Sequence, residues 1–346
     1  MLKLLLVGSD KEWAIENSYI KELTELCEVE LYNSHGDFID YFRKSIINKV
    51  LFRFGLSKIF DRLNQSFIKK VDEFQPEAIL IFKGMEIFPS TLESLRRKNI
   101  KLFNYNPDHP FVYHSKGSGN INVLKSIRLY DHHFSYSKRI LEELKEKFEI
   151  KSGSWLPFGY ATAIAPDLST DTAINKACFI GNADIERVKM IKTLALEDIP
   201  VDVYGLGWQN GLKGINNVRI YGPVYKEDFN SKAPMYDVQL NFFRPHNEDS
   251  HNMRTFEMPA LGCIMLAPSS TEHSLIFKDK EEAFFYTSKE QMKQLCKEIL
   301  MMTDEERNNI RWNAYNRSLN SGYSYKARAR MVFNQINSIL TNNKGA

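Results

Sequence analysis

The stretch Ala177-Cys178-Phe179-Ile180-Gly181-Asn182-Ala183-Asp184-Ile185-Glu186-Arg187 decides the fold. A short apolar run stops at a glycine, and a helical pattern begins within a few residues. A run of that length suits a strand buried on both faces of a parallel sheet. Gly181 lets a ligand approach the backbone. The new helix offers unpaired N–H groups and a positive dipole end, a setting suited to phosphate. Arg187 lies in the first turn and adds a planar cationic fork. The stretch does not have the GxGxxG spacing, so a dinucleotide fingerprint is absent. The plain alternative is a tight turn beside a surface arginine.

Outward from this stretch the same rhythm continues in both directions. Strands are predicted at 2–7, 29–32, 78–82, 101–105, 132–135 and 154–156, then at 177–180, 201–204, 218–221, 238–243, 263–266 and 283–286. Amphipathic helical patterns lie between them, as at 13–26, 92–98 and 138–148. Alternation of this kind predicts an α/β chain with mostly parallel strands. A length of 346 residues suits two domains. Leu156-Pro157-Phe158-Gly159-Tyr160, followed by small and polar residues with Pro166 among them, reads as the crossing between domains. The expected architecture is two Rossmann-like doubly wound halves, 1–158 and 174–325, joined by 159–173 and facing each other across a cleft. A helix and tail over 326–346 is free to pack on either half. In such sheets ligands bind outside the carboxyl ends of the strands.

Composition bounds the function. Apolar residues at 43%, charged residues at 26%, 17 glycines and 12 prolines describe a globular chain. They exclude a collagen-like, disordered or disulfide-scaffold protein. A net charge of +3 does not suggest a dedicated nucleic-acid binder. Cys27, Cys178, Cys263 and Cys296 form no CxxC pair and read as reduced, buried thiols. The N-terminal apolar stretch is too short for a signal peptide, and no run is long enough to span a bilayer. The expected location is cytoplasmic, with peripheral contact at the inner membrane face as an option. That option rests on the segment 38–70, which holds eight basic residues against Asp40 and Asp61. Its apolar residues Phe38, Phe42, Ile46, Val50, Ile59, Leu63 and Phe67 recur at helical intervals. A basic amphipathic surface for anionic lipid and a core-facing helix pair share this pattern.

A second chemistry-bearing stretch begins at Arg244-Pro245-His246-Asn247-Glu248-Asp249-Ser250-His251 and runs into a short predicted helix, 255–261, ended by Gly262. Arg254 stands at the helix start. Glu257, one turn in, suits two vicinal hydroxyls such as those of a ribose, though an acid there also simply complements the helix dipole. His246, Glu248, Asp249 and His251 match no metal-ligand spacing such as HExxH. In the first half, Asn104-Tyr105-Asn106-Pro107-Asp108-His109-Pro110 follows a predicted strand, which offers His109 or Asp108 as acceptor base, with His114 behind them. A polar turn is the plain alternative there.

Asn252-Met253-Arg254-Thr255-Phe256-Glu257-x-x-Ala260-x-Gly262 resembles the N-x-R-x-F-E-x-x-A-x-G region of bacterial group 1-type glycosyltransferases, in particular the spore-maturation-protein (CgeB-like) branch. Phe179-Ile180-Gly181-Asn182 with Arg187 resembles that branch's donor loop, Tyr204-Gly205-Leu206-Gly207-Trp208 its Y-G-x-G-W, and Val218 to Val224 its V-x-x-x-G-x-V. Leu156-Pro157-Phe158-Gly159 and Asp304-Glu305-Glu306-Arg307 resemble its linker and its late acidic segment.

The resemblance implies a GT-B fold with the donor in the C-terminal domain, the acceptor in the N-terminal one, and no metal or other cofactor. The nucleoside diphosphate sugar is a substrate. Glu257 would hold the donor ribose. Arg187 and Arg254, with backbone donors near Gly181, Asn182 and Thr255, would hold the diphosphate, and Asn252 belongs to the same motif. Tyr221, Gly222 and Val224 would line the base. Related retaining enzymes carry a Glu-x7-Glu pair. The earlier position is Asp249 here, which points to retention. The acceptor would be a hydroxyl of a glycan such as a cell-surface polysaccharide, of a lipid-linked sugar, or of a protein. A sugar-nucleotide 2-epimerase and a non-catalytic GT-B-like scaffold share the fold and stay open.

Overall fold

Ala78-Ile79-Leu80-Ile81-Phe82 is buried along its whole length, as a strand covered by helices on both faces must be. A computed structural model describes residues 1–113, 118–167, 174–243 and 249–342. In it this strand is the third of a six-stranded parallel sheet. The strands are β1 (Lys3–Val7), β2 (Glu28–Tyr32), β3 (Ala78–Phe82), β4 (Lys101–Asn106), β5 (His132–Ser135) and β6 (Gly153–Trp155). Their spatial order is β2-β1-β3-β4-β5-β6. The second sheet holds β7 (Ile174–Ile180), β8 (Val201–Tyr204), β9 (Val218–Tyr221), β10 (Tyr236–Leu240), β11 (Met265–Pro268) and β12 (Phe284–Tyr286), in the order β12-β11-β10-β7-β8-β9. It too is wholly parallel.

Both orders reverse direction once. The connection leaving β1 runs to β2 on one side, and the chain then returns to β3 on the other. In the second sheet the reversal falls between β7 and β10. A doubly wound sheet leaves a crevice at this switch point, outside the carboxyl ends of the strands.

The chain separates into two units. Unit 1 joins Met1–Pro157 to the C-terminal segment from Tyr325, and unit 2 is Phe158–Ser324. The last helix, Tyr325–Asn342, thus belongs to the first sheet's unit. It packs on the helix Glu16–Leu23, with Tyr325 edge-on to Tyr19 at 5.5 Å and Lys326 paired to Glu25 at 3.3 Å. Part of the predicted linker packs on unit 2: Tyr160 bridges Ser324, and the Ile164 amide donates to Ala260. Residues 168–173 of that linker and the tail beyond 342 lie outside the described residues.

Each unit has its own core. In unit 1, Leu5, Val7, Ile79, Ile81 and Leu102 meet Phe67, Val71, Leu92 and Leu95 from the flanking helices. In unit 2, Phe179, Val203, Val238, Leu240 and Leu266 meet Ile191, Leu194, Leu295 and Ile299. Three strands begin two or three residues from their expected starts, and β7 is one of them, at Ile174 rather than 177. β10 begins at Tyr236 rather than 238, and β11 at Met265 rather than 263. Gly262 takes φ +69° as the preceding helix ends, and the chain needs Cys263 and Ile264 to complete that turn. The four cysteines are buried and free. No helix among the described residues is long and apolar enough to cross a membrane.

Candidate functional site

The switch point of unit 2 is built from two loops on neighbouring strands, after β7 and after β10. The first is held rigidly. The Gly181 amide donates to Tyr204, the Gly181 carbonyl accepts from the Trp208 indole at 2.9 Å, and Asn182 Oδ1 accepts from the Leu206 amide at 3.0 Å. Trp208 is fully buried. Gly205 has φ +145°, and a Cβ there would run into the backbone of Gly181. The Tyr204-Gly205-Leu206-Gly207-Trp208 motif is therefore a backing plate for the Gly181 loop.

Asp184 caps the next helix, Ile185–Ala195, by accepting from the Arg187 amide at 2.9 Å. The Arg187 guanidinium donates to the Asn182 carbonyl at 2.9 Å, lies 3.3 Å from Asp184 and sits over the Phe179 ring at 5.1 Å. Three contacts thus fix a cation beside the loop.

The Phe179 ring also stacks on Phe242 at 5.1 Å, which carries the packing to the loop after β10. There Asn241 accepts from the Asn252 side chain at 2.7 Å and donates to Thr255 Oγ1 at 3.2 Å. Thr255 Oγ1 also meets His273 Nε2 at 2.9 Å, and His273 Nδ1 lies 2.8 Å from the Pro268 carbonyl. Burial pushes His273 down to about 3, so the ring is neutral.

This network shows how Asn252 and Thr255 are held. Asn252 Oδ1 accepts from the Thr255 amide at 3.2 Å, an Asx cap, so that amide is already spent on the protein. Thr255 is fully buried. Asn252 and Thr255 thus orient the helix Arg254–Ala260 from beneath.

The part-exposed side of that helix carries two opposite charges. Arg254 and Glu257 form an ion pair one turn apart, with side chains 31% and 19% exposed. The Arg254 guanidinium lies 4.0 Å from the centre of the Phe229 ring. Phe229 belongs to the helix Lys226–Lys232, which follows the Tyr221 to Val224 loop at the end of β9. Tyr221 is 37% exposed and stacks on Tyr204 at 4.7 Å, while Gly222 opens on free space. Arg187, Arg254, Glu257 and Tyr221 therefore all lie at the carboxyl edge of one sheet. Arg254 and Glu257 touch, and Arg187 sits in the first turn of the helix that follows the adjoining strand, β7.

The Asp249 carboxylate accepts from the Thr271 amide at 2.6 Å and the Thr271 hydroxyl at 2.8 Å, which ties the loop to the next helix. His251 is fully buried between the Glu272 carboxylate, at 2.6 Å from Nδ1, and the Phe158 amide, at 3.3 Å from Nε2. Both ring nitrogens are used for packing. Arg244, His246 and Glu248 lie outside the described residues, as does His114.

In unit 1, Asp108 pairs with Lys83 at 2.7 Å. His109 is buried, and its Nδ1 accepts from the Val112 amide at 3.2 Å. A neutral imidazole that accepts at Nδ1 carries its proton on Nε2. In that tautomer the lone pair of His109 faces the Val112 amide.

The sequence reading overlooked Glu16, His35, Lys83 and Glu86. Glu16 Oε1 accepts from the Ser9 amide at 3.1 Å, just past β1, and burial holds its carboxyl above the usual range. His35 Nδ1 lies 2.7 Å from Glu86 Oε1, with Glu86 only 2% exposed. The signal that finds His35 is the rule used for Gly181, a polar residue just after an apolar strand, applied to β2.

A glycosyl transferase-like family model matches residues 187–334, the segment that holds Arg187, Arg254 and Glu257. No protein with a curated description matches the sequence. The fold is similar to that of sucrose-phosphate synthase from Thermosynechococcus elongatus (TM-score 0.73, 11% identity, 99% of this chain and 100% of that one). It is also similar to Anabaena HepE in complex with UDP-glucose (TM-score 0.65, 11% identity, 98% and 100%). A third likeness is to a protein from Listeria monocytogenes described as a UDP-N-acetylglucosamine 2-epimerase (TM-score 0.61, 14% identity, 99% and 97%). The two six-stranded units are those of a GT-B fold.

Proposed function

We propose that the chain transfers a glycosyl group from a nucleoside diphosphate sugar, bound at the carboxyl edge of unit 2, to an acceptor hydroxyl. The Arg254–Glu257 pair carries this reading. It stands at the switch point, inside the segment matched by the glycosyl transferase-like model, with one carboxylate and one guanidinium both part-exposed. Glu257 would accept the ribose hydroxyls, and Arg254 would turn to the diphosphate as the ligand enters. Arg187 supplies a second positive charge. As the glycosidic bond breaks, charge grows on the diphosphate, and cations fixed beforehand stabilise it without reorganising. Tyr221 offers an exposed ring beside the base. The acceptor belongs to the class of glycans, lipid-linked sugars or proteins.

The test is a panel of UDP-, GDP-, ADP- and CMP-sugars, with turnover followed by nucleotide release. Turnover is expected with at least one of them and is lost in Glu257→Ala while the melting curve is kept. Equal turnover by Glu257→Ala would contradict the reading. The fold likeness to the Listeria protein keeps epimerisation as a second reading. It differs in needing no acceptor, so analysis of the released sugar separates the two.

Membrane contact is part of the same proposal. Within 38–70 the structure divides the apolar residues. Phe38, Phe42, Phe52 and Phe60 pack on one another at 4.8 to 5.8 Å. Ile46, Ile47, Val50, Phe54 and Leu56 are 77%, 65%, 48%, 72% and 70% exposed. Lys44, Lys49, Arg53 and Lys58 lie among them. Exposed apolar side chains ringed by cations suit an anionic bilayer surface. Co-sedimentation with phosphatidylglycerol vesicles, lost in Ile47→Glu/Phe54→Glu, is the expected result. Equal sedimentation by that variant would remove this part of the proposal. The buried free thiols favour a reducing compartment, on the cytoplasmic side of such a surface.

A further inference from the structure

We infer that unit 2 carries a second ligand site, for a neutral saccharide, in the cavity between the loop 278–282 and the carboxyl-terminal half of the helix Asp304–Asn320. The site lies apart from the nucleotide edge and does not depend on the glycosyl-transfer reading.

The cavity measures about 350 Å³, the size of a small-molecule site, and every side chain lining it is polar or charged. One wall is a helix face. Asn313, Asn316, Arg317 and Asn320 recur at three- and four-residue spacing, so they stand on one side of the helix. The other wall is the loop 278–282, which enters β12 at its amino end. Arg187, Arg254 and Glu257 stand at the carboxyl edge of the same sheet, so this cavity is separate from the site described above.

The walls are braced from behind. The Lys278 amide donates to Glu282 Oε2 at 2.8 Å, and the Lys280 amide donates to the Ala283 carbonyl at 2.7 Å, which closes the loop on itself. Asn313 Nδ2 donates to the Glu281 carbonyl at 3.3 Å and ties the loop to the helix. Arg317 Nε donates to the Ile276 carbonyl at 3.0 Å and lies 3.8 Å from Glu282, so the guanidinium is held in place. Its two Nη groups make no hydrogen bond among the described residues, and neither do the exposed side chains of Asn316 and Asn320. The protein supports the frame and leaves these groups to a ligand.

Charge and hydrogen-bonding type choose that ligand. Lys278 and Arg317 balance Glu281 and Glu282, so the lining has no net charge. The cavity also borders the carboxyl end of a 17-residue helix, where the dipole is negative. Phosphate and carboxylate groups are therefore disfavoured, and the two side-chain cations disfavour a metal ion. Asparagine amides donate and accept, Arg317 donates, and Glu281 accepts. A hydroxyl also does both, and a sugar ring presents several of them at fixed spacing. A neutral saccharide is the ligand that satisfies all of these groups. Trp312, half-buried one turn before Asn316 on the same helix, adds a flat apolar surface for the C–H side of a ring.

The test titrates the full chain with maltotriose, cellotriose and tri-N-acetylchitotriose, and with glucuronic acid and glucose 6-phosphate as charged counterparts, read by saturation-transfer NMR. At least one neutral trisaccharide is expected to bind, with saturating UDP present as well as without it. Asn316→Ala/Asn320→Ala should weaken that binding about tenfold or more, because two hydrogen-bonding side chains are removed. Both positions are exposed on a helix, where alanine is well accommodated, so Tm should be kept. Binding of none of the three neutral sugars, tighter binding of the charged ones, or equal binding by the double variant would each overturn the inference.

Discussion

The two sheets are the same device with opposite charges at the same place. At the end of β1, just before the switch point of unit 1, the Ser9 amide is taken by the protein's own carboxylate, Glu16. At the end of β7, just before that of unit 2, the loop is flanked by Arg187, whose guanidinium is braced by Asn182, Asp184 and Phe179. A strand-end loop already plugged by an acid repels a phosphate, whereas one beside a fixed cation attracts it. The topology is shared, so on the function proposed above the side chains at the strand ends decide which half takes the nucleotide. Fold alone would not separate them.

The strongest way to break this comparison is steric. Gly205→Ala would force a Cβ onto the Gly181 backbone from a φ of +145°. We expect a loss of about 3 kcal/mol, read as a fall in Tm, with nucleotide-induced stabilisation abolished. Gly8→Ala meets the Glu16 side chain at 2.6 Å instead, and a side chain can yield where backbone cannot. Its Tm should fall less. Equal losses would mean that the two loops are not built differently.

Acid tests the halves next. Burial depresses His132 and His133 to about 4 in unit 1, and His273 to about 3 in unit 2. Each lies below the unfolded value of about 6.5, so the stability they contribute is complete above that pH. It is lost as pH falls from 6.5 to about 4 for His132 and His133 and to about 3 for His273, because the unfolded chain binds the protons first. Thermal melts from pH 7.5 to 4.5 should show this decline. His133→Asn should flatten it, and an unchanged slope would show that the ring is not held neutral.

Smaller effects sharpen the charge contrast. Arg187→Ala should weaken nucleoside diphosphate binding about tenfold, the usual worth of one charge-assisted contact. Glu16→Gln should leave that affinity within a factor of two. Tyr221→Ala should cost less still, about threefold, by loss of a stacking face. Calorimetric titration measures all three, and an effect of Glu16→Gln as large as that of Arg187→Ala would erase the distinction.

Much of this was legible from the chain. Apolar runs such as Ala78–Phe82 and Val201–Tyr204 mark their strands because parallel sheets bury both faces. The pairing of Arg254 with Glu257 was legible because they lie three residues apart on one helix. The dual use of Asn-x-x-Thr was not. Asn252 and Thr255 fit a ligand motif and an Asx cap equally well until Asn241 and His273 are seen to claim them. His35 and Glu86 were hidden for a different reason. They are 51 residues apart, and the sheet alone brings β2 and β3 to flank β1. The packing of the last helix on Tyr19 was equally unreadable, because its apolar stripe fits either core.

The central claim is that unit 2, and not unit 1, holds the nucleotide. Hydrogen–deuterium exchange with saturating UDP, GDP, ADP and CMP in turn tests it most directly. The account predicts that at least one of them slows exchange at residues 181–187, 221–224 and 252–257 and leaves residues 8–16 unchanged. Protection confined to 8–16, or none anywhere with all four nucleotides, would contradict it.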